Sequence, residues 1–249
     1  MRTLSFDTSN PVLTVALMED GKIVSSRRVV PPESTRQEAV SQLMPTIDDI
    51  TAKQNWSRES IDLIIVGVGP GSFTGMRTCV VTARTLAQAL GIGLIGVDSL
   101  RCYASILPLP STIVLSGGRG HYFIASYSSA GNGKDRWEPG DANMKIDSEP
   151  SCLVGDDFLS AVKQARSCFV EPKILDEVRA HNSEAKAIPE ELNLAVIQAE
   201  LANSEFGLID KDRDKLKTIY AFDRVEPLYL RGASITLKPT AGEQAGHRN

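Results

Sequence analysis

Ile61-Asp62-Leu63-Ile64-Ile65-Val66-Gly67-Val68-Gly69-Pro70-Gly71-Ser72-Phe73-Thr74-Gly75-Met76-Arg77 is the stretch whose reading decides the fold. Ile61 to Val68 is almost wholly apolar and rich in β-branched residues, as expected of a strand buried on both faces of a parallel sheet. Gly69-Pro70-Gly71 breaks the run, and a helix is predicted from about Ser72 to Leu90, ended by Gly91. Strand, tight turn and amphipathic helix in succession mark an α/β protein. Glycines here let the backbone turn sharply and approach another group closely. Amides at the helix start can also bind an anion, and a tight connection without any ligand is the plain alternative. Gly69, Pro70, Gly71, Ser72 and Gly75 are read as residues of a structural turn.

Three chemistries fail on these residues. A phosphate-binding P-loop needs Gly-Lys-Ser/Thr, and the turn holds no lysine. A dinucleotide fingerprint needs a glycine where Thr74 stands. Asp98, at the end of the next strand, is the acid a ribose would need, but its spacing is loose. A nucleophile elbow needs serine at the centre of Gly71-Ser72-Phe73-Thr74-Gly75, where Phe73 stands instead.

Upstream, Leu4 and Phe6 alternate with polar neighbours in a first strand, which ends at the turn Asp7-Thr8-Ser9-Asn10-Pro11. Leu13 to Met18 and Lys22 to Val30 form two more strands around Asp20-Gly21, a hairpin signal, and Pro31-Pro32 stop the meander. Ser34 and Gln37 have capping-box spacing. Ala39, Val40, Leu43, Met44, Ile47 and Ile50 then share one side of a helix, with a kink expected at Pro45. Downstream, Leu94 to Val97 reads as a buried strand and Ser99 as the cap of a short helix.

Pro108 and Pro110 mark a lobe boundary, beyond which the opening plan returns. Thr112 to Leu115 is a strand, Ser116-Gly117-Gly118-Arg119-Gly120 a loop, His121 to Tyr127 a strand, and Gly131-Asn132-Gly133 a turn. This repetition of plan suggests internal duplication. Cys152 to Val154 and Cys168 to Val170 read as strands around a helix carrying Phe158, Leu159 and Val162. Pro189 is expected to open a long helix closed by Gly207, and Leu228-Tyr229-Leu230 is a late apolar segment. The expected organisation is an N-terminal lobe over 1–108, a degenerate C-terminal lobe over 109–237 and a disordered tail over 238–249, beginning at Lys238.

The 249 residues carry 27 basic and 31 acidic side chains, a net charge of −4. A chain that gripped nucleic acid unaided would show a basic surplus, so any such contact is local or shared. Arg27 and Arg28, or the cluster Lys211 to Lys217, are the places for it, although basic residues on a solvated face are the simpler reading. The cysteines, Cys79, Cys102, Cys152 and Cys168, are too scattered for a metal knuckle or redox motif, which fits free thiols in a reducing compartment. The three histidines, His121, His181 and His247, are isolated, so no metal site is expected. No apolar run is long enough for a signal peptide or membrane span. The cytoplasm is the expected location.

Asp7-Thr8-Ser9, the Gly-Pro-Gly-Ser-Phe-Thr-Gly-Met-Arg turn and the stretch from Val81 to Ala87 and on through Gly96-Val97-Asp98-Ser99-Leu100 together resemble the bacterial TsaB family, also called YeaZ. The resemblance covers about residues 1–105 and returns at Pro227-Leu228-Tyr229-Leu230-Arg231. It implies a two-lobed actin-like ATPase fold (ribonuclease H-like, ASKHA), each lobe a mixed sheet with flanking helices. It further implies a role in making threonylcarbamoyladenosine beside the anticodon of tRNA, with a TsaD-like catalytic paralogue and a TsaE-like ATPase as partners and tRNA reached through the complex. In such a fold Asp7, Thr8 and Ser9 would stand where a phosphate or magnesium contact belongs. A turn-forming Asp-Thr-Ser is the alternative. The second loop of the family usually carries acids, where this chain has Ser116-Gly117-Gly118-Arg119-Gly120, and Ala39 stands where the family often has histidine. No cofactor is firmly implied; ATP or ADP enters only weakly or within the complex.

Plotted at about 100° per residue, the helix after the glycine turn has two faces. Phe73, Met76, Cys79, Val80, Ala83, Leu86, Ala87 and Leu90 are predicted to face the sheet. Thr74, Thr78, Val81, Thr82, Thr85 and Ala89 share the opposite arc, with Arg77 and Arg84 between. A solvent-facing arc normally carries charge, so six uncharged residues suggest a partner interface, unless the preceding helix covers them. The same face would favour a homodimer when the partner is absent. The rival function is an autonomous actin-like ATPase or phosphotransferase. A nicotinamide-dependent oxidoreductase would need a cofactor near Gly69 and Asp98, and a peptidase would need a nucleophile–base pair that the sequence does not assemble.

Overall fold

A computed structural model describes residues 1–31, 38–129, 144–208 and 212–231. The expected capping box at Ser34 and Gln37, the turn at Gly131-Asn132-Gly133, Lys211 and the tail from Lys238 lie outside the described residues.

Strand β1 (Arg2–Asp7) pairs antiparallel with β2 (Leu13–Glu19), and β2 with β3 (Lys22–Val29). Asp20 and Gly21 both take positive φ, 49° and 76°, as a two-residue hairpin turn requires. On its other side β1 runs parallel to β4 (Leu63–Gly69), which runs parallel to β5 (Gly93–Asp98). The first sheet is thus ordered β3-β2-β1-β4-β5.

The second sheet is built from β6 (Ser111–Gly118), β7 (His121–Ser129), β8 (Met144–Val154), β9 (Cys168–Val170) and β10 (Lys186–Ala187), in the order β8-β7-β6-β9-β10. Again the first two pairings are antiparallel and the last two parallel. The duplication legible as a repeated plan is therefore a repeated topology.

The helices are α1 (Glu38–Ser41), α2 (Leu43–Lys53), α3 (Phe73–Leu90), α4 (Ser99–Ile106), α5 (Gly155–Gln164), α6 (Leu175–Arg179), α7 (Leu194–Phe206) and α8 (Arg213–Ile219). The expected kink at Pro45 is a break at Gln42 between α1 and α2. Restarting there puts Pro45 in the first turn of α2, where a missing N–H costs no helical bond. The cap of α4 is Asp98, whose carboxylate accepts from Arg101 N at 2.7 Å, and Ser99 is the first helical residue. α7 begins at Leu194 under an Asn193 cap, five residues after Pro189, and closes at Gly207 in the left-handed conformation as expected.

Five layers result. α2 and α3 cover the outer face of the first sheet, where Leu4, Phe6, Ile64 and Val66 meet Ile47, Ile50, Cys79 and Ala83. α4 and α7 lie between the sheets, in a cluster that joins Leu63, Ile65 and Val97 of the first sheet to Ile113, Leu115 and Phe169 of the second. On the outer face of the second sheet, Val114 and Ile124 pack with Phe158 and Val162 of α5 and Val178 of α6. The chain returns to the first sheet after the second: α7 packs on β1, β2 and β4, and α8 on β5, whose outer edge is capped by Leu94 N donating to Tyr220 O at 2.9 Å. Among the described residues no helix is long and apolar enough to cross a membrane.

Candidate functional site: a sealed loop beside an open helix face

Asp7 ends β1 and has no exposed surface. Its Oδ1 accepts from Ser9 N at 2.6 Å and from Ser9 Oγ at 2.7 Å, while Gln198 Nε2, from α7, donates to its Oδ2 at 2.5 Å. Burial pushes this carboxyl above the ordinary aspartate range, with the Ser9 and Gln198 bonds pulling the other way. Thr8 Oγ1 donates to Gly75 O at 2.8 Å, and Ser72 N donates to Ser9 O at 2.7 Å. Thr8 and Ser9 are buried alongside Asp7.

This loop explains the density of glycine in the turn. A Cβ on Gly71 would sit 2.2 Å from Ser9 O, and one on Gly75 would sit 2.0 Å from Thr8 O. The turn and the Asp7–Ser9 loop are two backbones in direct contact, which only glycine permits.

Between the lobes is a cavity of about 450 Å³ lined by Asn10, Pro11, Arg28, Tyr103, Glu171 and Lys173, among others. Glu171 follows β9 directly; its carboxylate accepts from Ser116 N at 2.9 Å and pairs with Lys173 Nζ at 2.6 Å. The second-lobe hairpin carries Gly118, Arg119 and Gly120 at φ 72°, 54° and 73° and supplies no acid. Among the described residues no three His, Cys, Asp or Glu side chains form a group that could hold a metal ion. Both Asp7 oxygens are engaged and the second loop itself carries no carboxylate, so the acid beside that loop in the cavity is Glu171. Asp98, weighed as a ribose ligand, is occupied as the cap of α4.

Sequence reasoning missed Gln198 and Glu171. Gln198 is the one polar side chain in the apolar run from Leu194 to Ala199, and a lone buried amide signals a specific partner. Glu171 stands at the carboxyl end of a buried parallel strand, where ligand-facing residues gather in open α/β sheets.

The α3 face is open. Thr74, Val81, Thr85 and Ala89 are exposed, Val81 at 55%, and Thr78 and Thr82 are half-buried. α1 touches α3, and among the described residues Thr74, Val81, Thr85 and Ala89 stay exposed. Phe73, predicted to face the sheet, is instead 40% exposed, its ring 5.2 Å from that of Tyr229, and Arg77 is exposed as well. The cause is Gly75. Pressed onto Thr8, it sets the helix rotation, so that Gly75, Cys79, Ala83 and Ala87 line the buried side. Residues two positions away lie about 200° round, giving the exposed ridge Phe73-Arg77-Val81-Thr85-Ala89.

Burial pushes the Asp98 carboxyl up to about 6, against the Arg101 amide bond and charge that lower it. Between the unfolded value near 4 and about 6 the folded chain binds a proton that the unfolded chain does not, so this group adds stability as pH falls and removes it as pH rises. Asp98→Asn keeps a side chain of equal capping strength. It is expected to raise the thermal midpoint at pH 8 and to flatten its dependence between pH 4 and 6. An unchanged pH profile in calorimetry would count against this assignment.

Residues 19–148, just over half of the chain, match the family model described as "TsaD: tRNA N6-adenosine threonylcarbamoyltransferase". The chain is 34% identical over 104 residues to the tRNA threonylcarbamoyladenosine biosynthesis protein TsaB of Escherichia coli, covering 42% of this chain and 43% of the relative. It is 30% identical over 105 residues to TsaB of Bacillus subtilis, covering 42% and 44%. The matches thus span less than half the length of these curated relatives. Among solved structures, YeaZ from Pseudomonas aeruginosa superposes with TM-score 0.59 at 19% identity, covering 87% of this chain and 98% of that one. A second Pseudomonas aeruginosa structure, of an uncharacterized protein with similarity to peptidase YEAZ, gives 0.62 at 19%, covering 92% and 99%. These two show the fold, which is the two-lobed actin-like fold expected. With the interlocked Asp7–Ser9 loop and glycine turn at its centre, the chain belongs to the family that the model "TsaD: tRNA N6-adenosine threonylcarbamoyltransferase" describes, and within it is similar to the TsaB (YeaZ) proteins.

Proposed function

We propose that this chain is a non-catalytic scaffolding subunit of the complex that installs threonylcarbamoyl on the adenosine beside the anticodon of tRNA. It would pair with a TsaD-like catalytic paralogue and act with a TsaE-like ATPase, reaching tRNA through the complex. The observation that carries this reading is the exposed outer ridge of α3, which is uncharged from Val81 through Thr85 to Ala89 and carries Arg77 as its one charge. Small uncharged side chains let a partner helix approach closely and be desolvated at little cost. The sealed Asp7 supports the non-catalytic part, because metal-assisted phosphate chemistry needs acids that reach the metal. In this reading 1–108 carries the docking helices, 109–237 is the degenerate lobe that sends α7 and α8 back to the first sheet, and a second copy can occupy the α3 face when the paralogue is absent.

Reconstitution tests it. tRNA modification by the paralogue and the ATPase is expected to fall at least about tenfold when this chain is omitted, while the isolated chain shows no turnover of magnesium-ATP in calorimetry. Tight binding with turnover by the isolated chain would favour the rival, an autonomous ATPase or phosphotransferase using the interlobe cavity.

A further inference from the structure

Beyond α8 the chain runs without regular α or β structure along the seam between the lobes, and its contacts there join distant places. Leu228 N donates to Val68 O at 2.8 Å, at the mouth of the glycine turn. The Tyr229 ring lies 5.2 Å from Phe73, the first residue of α3, and is itself 47% exposed. Leu230 packs on the core between the sheets. Arg231 Nη1 then donates to Gly117 O at 3.0 Å and Gly118 O at 3.1 Å, at the end of β6 where it turns into β7.

We propose that residues 225–231 are a strap coupling the first turn of α3 to the β6–β7 hairpin, so that a TsaD-like paralogue seated on Phe73 and Tyr229 resets the second lobe's hairpin. The hairpin is suited to being moved. Gly118 and Gly120 have no neighbour within 4 Å of where a Cβ would be, so the tip is not packed. Its own turn contributes Gly118 N to Ser116 Oγ at 3.2 Å, and Arg231 is the tether from the strap. At the other end the strap is held by Val225 against the first-lobe core, by the Leu228 N bond to Val68 O and by the Phe73–Tyr229 ring pair, the last of which a partner helix lying along Phe73 would touch. Segments held by few buried contacts shift at small free-energy cost. The strap itself is independent of what docks; its use by a TsaD-like partner rests on the function proposed above.

The test is amide hydrogen exchange on the full chain, followed over Ser116–Tyr122. Arg231→Ala and Tyr229→Ala are each expected to speed exchange there roughly fivefold or more. Tyr229→Phe, which keeps the ring, should match the wild type, and amides of β9 and α5 should not change in any variant. Wild-type exchange at the hairpin in Tyr229→Ala overturns the coupling, as does acceleration spread evenly over both sheets. With the catalytic paralogue added, hairpin exchange should change in the wild type and not in Arg231→Ala. A complex that forms and leaves the wild-type hairpin unchanged also overturns the coupling. Absence of any complex overturns the docking reading alone, and the exchange rates of the isolated variants then decide whether the strap couples the two ends.

Discussion

Gly75→Ala is expected to destabilise the protein by about 3 kcal/mol or more. The added methyl would lie 2.0 Å from Thr8 O, less than any two unbonded heavy atoms tolerate. Neither partner can rotate away, since one is the backbone of a helix and the other that of a buried loop. Relief requires sliding α3 off the loop, which breaks the bonds from Thr8 Oγ1 to Gly75 O and from Ser72 N to Ser9 O. Each leaves a buried polar group without a partner, a further cost of about 1 kcal/mol or more. Gly207→Ala is the control: its φ is positive but nothing lies within 4 Å, so it should cost only about 1 kcal/mol. Urea denaturation of both variants decides between them. Equal midpoints would mean that the interlock contributes nothing.

The second large effect concerns association. The double variant Val81→Glu with Thr85→Glu should fold as the wild type and lose the catalytic paralogue, with affinity down about 100-fold or more. Both side chains are exposed, and surface changes of this kind shift stability by less than about 0.5 kcal/mol. Burying two carboxylates without partners against another helix costs several kcal/mol, and each 1.4 kcal/mol is about tenfold in affinity. Thr78 is half-buried and so a poorer place for the charge than its position on the helical wheel suggests. Co-purification that survives the double variant at an unchanged thermal midpoint would remove α3 from the interface.

What is legible in the sequence is what neighbouring residues decide among themselves. The buried strand β4, the Asp20-Gly21 hairpin, α3 between Ser72 and Gly91, and the repeated strand plan all rest on short-range periodicity and turn chemistry. Some departures have local causes too. Pro189 and Ser99 are good helix-start residues that lose to Asn193 and Asp98, whose side chains accept a helix amide. The rest depends on contacts made across the chain. The rotation of α3 departs from the helical-wheel expectation at Phe73 because it is set by Gly75 against Thr8, 67 residues away. The loop at Asp7 reads as open in the sequence because Gln198, which closes it, lies 191 residues downstream. No window of sequence contains both members of either pair.

The layer of α4 and α7 also constrains how the molecule can move. Proteins that turn over nucleotide by closing two halves need a seam that parts, and here the seam is filled by Leu63, Val97, Ile113, Leu115, Phe169 and the apolar sides of two helices. Prising the halves apart would wet that whole slab, which makes the protein one rigid wedge rather than a jaw. A wedge whose central slab does not part holds whatever it grips at a constant angle, leaving movement to edge segments such as the β6–β7 hairpin and to the other members of an assembly built on it.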